Sequence, residues 1–142
     1  AQACIEALDF YDIDLEGRRV AIIGRSNVVG KPLINLLLNR NASPTVCHSK
    51  TPNIPAITKE CDIVVCATGR AKMFGPEFFA EGQIVLDVGI NWDAENNCVC
   101  GDVDFDEVKP LVKAITPVPG GIGPITSSLL ASYIVKAAER LE

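Results

Sequence analysis

The chain has 142 residues, of which 48% are hydrophobic and 22% charged, and its formal net charge is -5. This balance is typical of a globular protein, and the length suits one hydrophobic core, so we predict a single domain over residues 1–142. The negative charge and the scattered Lys and Arg residues argue against a nucleic-acid partner, which would require a basic face. The apolar runs are strand-sized, so no membrane partner is expected.

The first residues of the chain indicate whether it is a fragment, and its cysteines indicate the redox state of its cellular compartment. It begins at Ala1 with no charged and apolar leader, so we interpret it as an excised fragment and not a secreted precursor. Cys47 and Cys66 lie in strand-like apolar runs, which indicates free thiols in a reducing compartment. Cys98 and Cys100 fit one short strand. With a single histidine they do not supply the ligands of a zinc site, so no metal is expected.

Hydrophobic periodicity predicts strands that alternate with helices along the chain. The predicted strands cover residues 19–23, 45–48, 62–67, 83–88 and 113–115. The predicted helices cover residues 4–11, 33–40, 56–60, 105–112 and 125–141. Residues 91–100 are predicted to form a strand pair that turns at residues 95–97. The alternation indicates an α/β fold, a doubly wound (Rossmann) and mostly parallel sheet with helices on both faces.

A glycine turn follows the first predicted strand. Gly24, Arg25 and Ser26 lie where a dinucleotide pyrophosphate needs free backbone N–H groups and a positive helix end. The spelling departs from G-x-G-x-x-G, because Ser26 replaces the second glycine and Gly30 falls one residue late. We predict that Ser26 donates to a phosphate oxygen and that Arg25 clamps a phosphate. A turn that merely packs a helix on a strand is the alternative.

A phosphate loop of the Walker A type is the other nucleotide-binding possibility, since Gly30 and Lys31 resemble its end. Five residues separate Gly24 from Gly30 where that motif has four. Pro32 also stands where Ser or Thr would hold magnesium. The motif therefore does not fit.

The end of the second predicted strand favours NADP over NAD. NAD sites usually place a carboxylate there, about 20 residues beyond the first glycine, to accept from the ribose 2'-hydroxyl. This chain instead has His48, Ser49 and Lys50, which offer donors and a cation to a 2'-phosphate. An ordinary solvated polar loop is the alternative interpretation.

Three further segments are predicted at the same carboxyl edge of the sheet, where ligands bind in open α/β folds. Thr68 and Gly69 follow the third strand, and Gly69 permits close approach of the ribose or nicotinamide. Ile90 follows the fourth strand and is predicted to pack on the nicotinamide. A glycine-rich loop at residues 119–124 then enters the last helix. Its three glycines indicate that a ligand or another domain approaches the backbone closely, and an ordinary helix-entry loop is the alternative.

Several strings occur together and in order: VAIIGRSNVVGKPL, TVCHSKT, VVCATG, VLDVGIN, GDVDF and TPVPGGIGPIT. Over essentially the whole chain they resemble the C-terminal half of the bifunctional methylenetetrahydrofolate dehydrogenase/methenyltetrahydrofolate cyclohydrolase family. The resemblance implies NADP as cofactor, with Arg25 and Ser49 near the 2'-phosphate and Ile90 beside the nicotinamide. It also implies a loop that faces the folate cleft, with the substrate-facing residues Pro119, Gly120, Gly121, Ile122 and Gly123. The complete predicted cofactor site is Gly24, Arg25, Ser26, Gly30, Pro32, His48, Ser49, Thr68, Gly69 and Ile90.

The resemblance also implies an activity for the whole protein. Hydride passes from methylenetetrahydrofolate to NADP, and the methenyl product is hydrolysed to 10-formyltetrahydrofolate. The family's catalytic lysine and nearby tyrosine belong to an N-terminal folate-binding domain, so no catalytic residue is assigned in this chain. Asp87 and Asp102 are expected near the cleft edge, where solvated or capping roles explain them equally well. A shared folate substrate, a homodimer, a cytoplasmic location and a place in one-carbon metabolism and purine biosynthesis follow from the resemblance.

Two other functions compete with this hypothesis. A noncatalytic nucleotide-sensing Rossmann module is one, but it would not need a glycine-rich loop directed at a second substrate. The cofactor domain of a different dehydrogenase, acting on shikimate or amino acids, is the other. The CHSKT and PGGIGP strings together argue against it.

Overall fold

The computed structural model describes residues 1–141 and contains a five-stranded parallel sheet. Its strands are β1 (Arg19–Ile23), β2 (Ser43–Cys47), β3 (Ile63–Cys66), β4 (Ile84–Asp87) and β7 (Ala114–Ile115), and their order across the sheet is β2-β1-β3-β4-β7. A separate antiparallel hairpin is formed by β5 (Asn91–Asp93) and β6 (Cys98–Cys100). The helices are α1 (Gln2–Phe10), α2 (Gly30–Leu38), α3 (Ile54–Thr58), α4 (Phe105–Val108) and α5 (Ile122–Glu139).

The central strands form because their apolar, largely β-branched residues are covered on both faces of the sheet. Val20 and Ile22 of β1 point into one core, while Ala21 and Ile23 point into the other, and all four are buried. Alternation of side chains along a strand produces this division. Each large apolar side chain removed from water in this way stabilises the fold by about 1.5–3 kcal/mol.

Helices cover the two faces as the doubly wound fold requires. The first core contains residues of α1, α2 and the start of α5, with Leu33 and Leu37 of α2 buried one helical turn apart. The second contains residues of α3 and α4 and the buried Phe74. A short 3-10 helix, Pro76–Phe78, lies between β3 and β4. The predicted α/β doubly wound architecture is confirmed. Within residues 1–141, no helix combines the length and the apolar character needed to cross a bilayer.

The boundaries of some elements differ from the prediction. Helix α5 begins at Ile122, three residues before the predicted start, because Gly123 and Pro124 fit within its first turn. Helix α4 is only Phe105–Val108, since Pro110 follows closely and disfavours the helical conformation of the residue before it. The 3-10 helix was not predicted.

The strand register brings the functional segments to one edge of the sheet. Ile23 is paired with both Cys47 and Cys66, and Cys66 is paired with Asp87, so β1 to β4 all end at the same level. The chain passes from β1 outward to β2 and then returns to β3 on the other side of β1. The point between β1 and β3 is therefore the topological switch, where dinucleotides bind in this architecture.

Candidate functional site

The turn after β1 is packed directly against the end of β3. Gly24 has φ 127, and a Cβ on it would collide with the backbone carbonyl of Ala67. A Cβ on Gly30 would collide with the carbonyl oxygen of Gly24 and lie 2.9 Å from the Cα of Arg25. Both positions therefore require glycine, and the backbone itself forms the wall of the turn.

The same turn presents unused donors at the start of α2. Among residues 1–141, the backbone N–H groups of Arg25, Ser26, Asn27 and Val28 find no hydrogen-bond acceptor. Ser26 Oγ accepts from the N–H of Val29 at 3.1 Å, which leaves its hydroxyl proton available. Free N–H groups near a helix N-terminus suit a pyrophosphate, so the geometry fits a dinucleotide.

The segment after β2 forms a tight polar turn. His48 Nδ1 accepts from the N–H of Lys50 at 3.2 Å, and the N–H of His48 donates to Thr51 Oγ1 at 2.9 Å. Ser49 and Lys50 are exposed, and no carboxylate follows the strand directly. In the described part of the chain neither Lys50 nor Arg25 forms an ion pair. These cations are therefore available to an anionic ligand.

A buried carboxylate organises the ends of β3 and β4. Asp102 is 0% exposed, and its two oxygens accept from the N–H groups of Thr68 (2.5 Å), Gly69 (3.1 Å) and Arg70 (2.9 Å). They also accept from Thr68 Oγ1 at 3.0 Å and from Asn91 Nδ2 at 2.9 Å. Asp102 thereby fixes the turn at residues 68–70 and the Asn91 amide in one arrangement.

A second buried carboxylate holds the first in place. Asp87, at the end of β4, accepts from the N–H groups of Gly89 (3.0 Å), Asp102 (3.0 Å) and Val103 (2.9 Å). Burial raises the pKa of Asp87 to about 6, although the three N–H groups act in the opposite direction. Because Asp87 and Asp102 are both buried, the solvated alternative for these residues is wrong, and their partners are backbone segments of the site.

The start of α5 reaches the same edge. A Cβ on Gly123, in the first turn of α5, would lie 3.9 Å from Ile90 Cδ1, so the start of this helix and the segment after β4 are neighbours. Pro119 and Gly120 are exposed, and Ile90 is 70% exposed. The prediction that Ile122 faces the substrate is wrong, because its side chain is 4% exposed and packs in the first core. Its apolar side chain is more stable there than facing a cleft.

The predicted cofactor-binding residues lie in the segments that follow β1, β2, β3 and β4, at the carboxyl edge of the sheet. Pro32 among them lies in the first turn of α2. Sequence reasoning placed Asp87 and Asp102 near the cleft edge but assigned them no part in the site, and it gave the Asn91 side chain no role. A signal was present: Asp87 and Gly89 form a D-x-G string at the end of an apolar strand. The Gly-Asp pair at residues 101–102 ends the hairpin. Carboxylates beside glycines in such buried surroundings require backbone N–H partners.

The family comparison agrees with this geometry. The family model described as "Tetrahydrofolate dehydrogenase/cyclohydrolase, NAD(P)-binding domain" matches residues 1–142. The chain belongs to this family. NAD(P) is accordingly the class of cofactor that this family's domain binds.

Individual relatives support the assignment. The bifunctional protein FolD of Clostridium botulinum (strain Langeland) is 58% identical over 139 residues, covering 98% of this chain and 49% of the relative. The FolD of Carboxydothermus hydrogenoformans is 52% identical over 140 residues. The chain thus spans about half the length of the curated relatives that it matches.

Solved structures of the family superpose closely. The FolD methylenetetrahydrofolate dehydrogenase/cyclohydrolase of Campylobacter jejuni gives a TM-score of 0.94 at 42% identity, covering 99% of this chain and 50% of that one. The Trypanosoma brucei enzyme, solved with NADP cofactor and inhibitor, gives 0.89 at 36% identity and covers 98% and 49%. The sheet, its helices and the turns at its carboxyl edge therefore belong to the family fold.

Proposed function

We propose that this chain is the NADP-binding half of a methylenetetrahydrofolate dehydrogenase/cyclohydrolase. The observation that carries the proposal is the β1 turn, where Gly24 and Gly30 bring the backbone close and four N–H groups are free among residues 1–141. The family match over residues 1–142 supports the folate chemistry. The β1 turn would serve any dinucleotide-binding domain. The family match is therefore what favours the folate enzyme over a nucleotide sensor or another dehydrogenase.

The proposed cofactor runs across the switch point. Its pyrophosphate binds at Gly24, Arg25 and Ser26, beside Gly30 and Pro32 at the start of α2. The 2'-phosphate lies near Arg25, His48 and Ser49. The absence of a carboxylate directly after β2 and the unpaired Arg25 within residues 1–141 support NADP over NAD. The nicotinamide then lies near Thr68, Gly69 and Ile90.

The proposed reaction moves two electrons as a hydride. NADP, held at its nicotinamide end near Thr68, Gly69 and Ile90, would supply the hydride acceptor. The methylene carbon of the folate would give up the hydride and become an amidinium-like methenyl cation. Water then adds to that carbon, a proton leaves, and one carbon–nitrogen bond opens to give 10-formyltetrahydrofolate. The exposed Pro119 and Gly120, with Gly121 before α5 and Gly123 in its first turn, support a segment that faces the folate. The general acid and base for the second step belong to the other half of the protein.

Exposed apolar residues support packing of that other half against this one. On α5, Leu130 (58%), Ile134 (71%) and Val135 (58%) are exposed, as are Phe10 and Tyr11 at the end of α1. An open groove of about 1220 Å³ adjoins α1, β7 and the loop before α5. Exposed apolar side chains beside such a groove are typical of an interaction site.

We also propose a cytoplasmic homodimer formed largely through this half, acting in one-carbon metabolism and purine biosynthesis. Trp92 and Val99, paired across the hairpin, are 60% and 37% exposed and support a self-association surface. The six free cysteines support a reducing compartment. Analytical ultracentrifugation of the full-length protein and of Trp92→Ser tests the dimer. A monomeric wild type would contradict it.

The proposed activity is tested by mixing the full-length protein with 5,10-methylenetetrahydrofolate and NADP and recording NADPH absorbance. The full-length protein should form NADPH, and the 142-residue chain alone should bind NADP without turnover. A full-length protein that forms no NADPH contradicts the proposal. Turnover by the chain alone contradicts the assignment of the chemistry to the other half.

A further inference from the structure

Asp102 is the acceptor for the backbone N–H groups of all three residues of the turn at residues 68–70, which follows β3. The N–H groups of Thr68, Gly69 and Arg70 all donate to its carboxylate, and within residues 1–141 they have no other acceptor. Asp102 lies more than thirty positions further along the chain. The conformation of this turn is therefore set by one distant carboxylate and not by local hydrogen bonds.

The same carboxylate reaches the end of β4. It accepts from Asn91 Nδ2 at 2.9 Å, and it fills the space that a Cβ on Gly89 would occupy. Strands β3 and β4 lie on the side of the switch point away from β2. In a doubly wound fold the two halves of a dinucleotide lie on opposite sides of that point, with the adenosine half over β2. Asp102 thus lies beneath the nicotinamide half of the site.

We propose that Asp102 is a positioning residue for the nicotinamide half of the cofactor, because it fixes the turn at residues 68–70 and the Asn91 amide against which that half binds. The inference rests on the proposed NADP site. Asp102 is fully buried, so it acts through Thr68, Gly69, Arg70 and Asn91 and not by contact with the ligand.

If Asp102 had only a general structural role, its loss would weaken the binding of both halves of the cofactor equally. The positioning role predicts a local effect. The central strands are held by their own ladder and two apolar cores, and none of the ladder bonds involves Asp102. Loss of its charge should therefore disturb the turns at the ends of β3 and β4 and leave the β1 and β2 turns in place. Binding of the adenosine half alone should then be preserved.

The test compares two probes, NADPH and adenosine 2',5'-bisphosphate, on the wild-type chain and on Asp102→Asn. Five hydrogen-bond donors face the two carboxylate oxygens of Asp102. In Asp102→Asn one of these oxygens becomes an NH2 group, which is itself a donor and cannot accept their hydrogen bonds. We expect the Kd for NADPH to rise about tenfold or more, while that for the bisphosphate changes less than about twofold. The matched control is Asp62→Asn, whose carboxylate accepts from the N–H of Arg19 at 2.8 Å at the opposite edge of the sheet. It should change neither Kd.

The possible results separate the two claims. Equal loss of both probes in Asp102→Asn, or no loss of either, overturns the positioning role. A wild-type chain that binds neither probe overturns the proposed NADP site itself. If Asp102→Asn does not fold, the decision passes to Thr68→Val, which removes only the hydroxyl bond to Asp102. That variant should speed amide hydrogen exchange at Gly69 and Arg70 in the cofactor-free chain, and unchanged exchange overturns the proposal.

Discussion

The carboxylate of Asp87 occupies the space that a side chain on Gly101 would fill. The relationship is reciprocal, since the carboxylate of Asp102 occupies the corresponding space at Gly89. Each acid therefore needs a glycine on the opposite segment, and the strings DVG and GDV form one interlocked unit. Through it, the hairpin β5–β6 is connected to the ends of β3 and β4.

Gly101→Ala should destabilise the domain, because the new methyl group must displace the buried Asp87 carboxylate and its three N–H partners. We expect a loss of about 2–3 kcal/mol in the free energy of unfolding, measured by urea denaturation. Gly123→Ala is the control, since its nearest neighbour would be Ile90 Cδ1 at 3.9 Å. A variant Gly101→Ala as stable as the control would show that the two segments do not interlock.

The buried Asp87 predicts a dependence of stability on pH. Its pKa is raised from 3.8 to about 6. Between these two pH values the folded state therefore keeps a proton on Asp87 that the unfolded state has released. The contribution of this residue to stability is therefore greatest below about pH 4 and falls by about 3 kcal/mol as the pH rises through about 6.

The pH effect is isolated by comparing the wild type with Asp87→Asn in urea at several pH values. Other carboxyl groups contribute to both proteins, so the difference between their unfolding free energies reports Asp87. As the pH rises from about 4 to about 7, the unfolding free energy of the wild type should fall relative to that of Asp87→Asn. A difference that is constant with pH would mean that Asp87 has an ordinary pKa.

Gly30→Ala should weaken cofactor binding more than it weakens the fold. The methyl group would meet Gly24 and Arg25, which form the phosphate turn. We expect the Kd for NADPH, measured by fluorescence titration, to rise about tenfold or more. Gly82→Ala provides the control. Gly82 has a positive φ of 81, so alanine strains the backbone there, but no atom lies within 4 Å of the Cβ that the substitution adds. If both variants bind NADPH like the wild type, the turn does not hold the phosphates.

The cysteines should react with thiol reagents at very different rates. Cys98 is exposed, whereas Cys4, Cys47 and Cys66 are buried. Burial raises the pKa of Cys4 to about 11 and raises that of Cys66 well above its ordinary value, which disfavours the reactive thiolate. Labelling with a chromogenic disulfide at neutral pH should show one fast thiol, absent from Cys98→Ser. Several equally fast thiols in the folded protein would contradict the packing.

The sheet could be predicted because its signals are local. After Arg19 the strand β1 is apolar and ends before Gly24, and the predicted strand matches the observed one, Arg19–Ile23. The site was only partly predictable. Gly24 stands out by its place after a strand, but Asp102 acts on Thr68 across 34 positions, and no periodicity reveals such a contact. The Pro76–Phe78 turn also lacks periodicity, since it is one turn of 3-10 helix.

The central claim, that this domain holds NADP across the β1 and β2 turns, is tested most directly by calorimetric titration of the chain with NADP and with NAD. The wild type should bind NADP about tenfold or more tightly than NAD, and both Arg25→Ala and Ser49→Ala should reduce that preference. Equal affinity for the two cofactors, unchanged in both variants, would contradict the account.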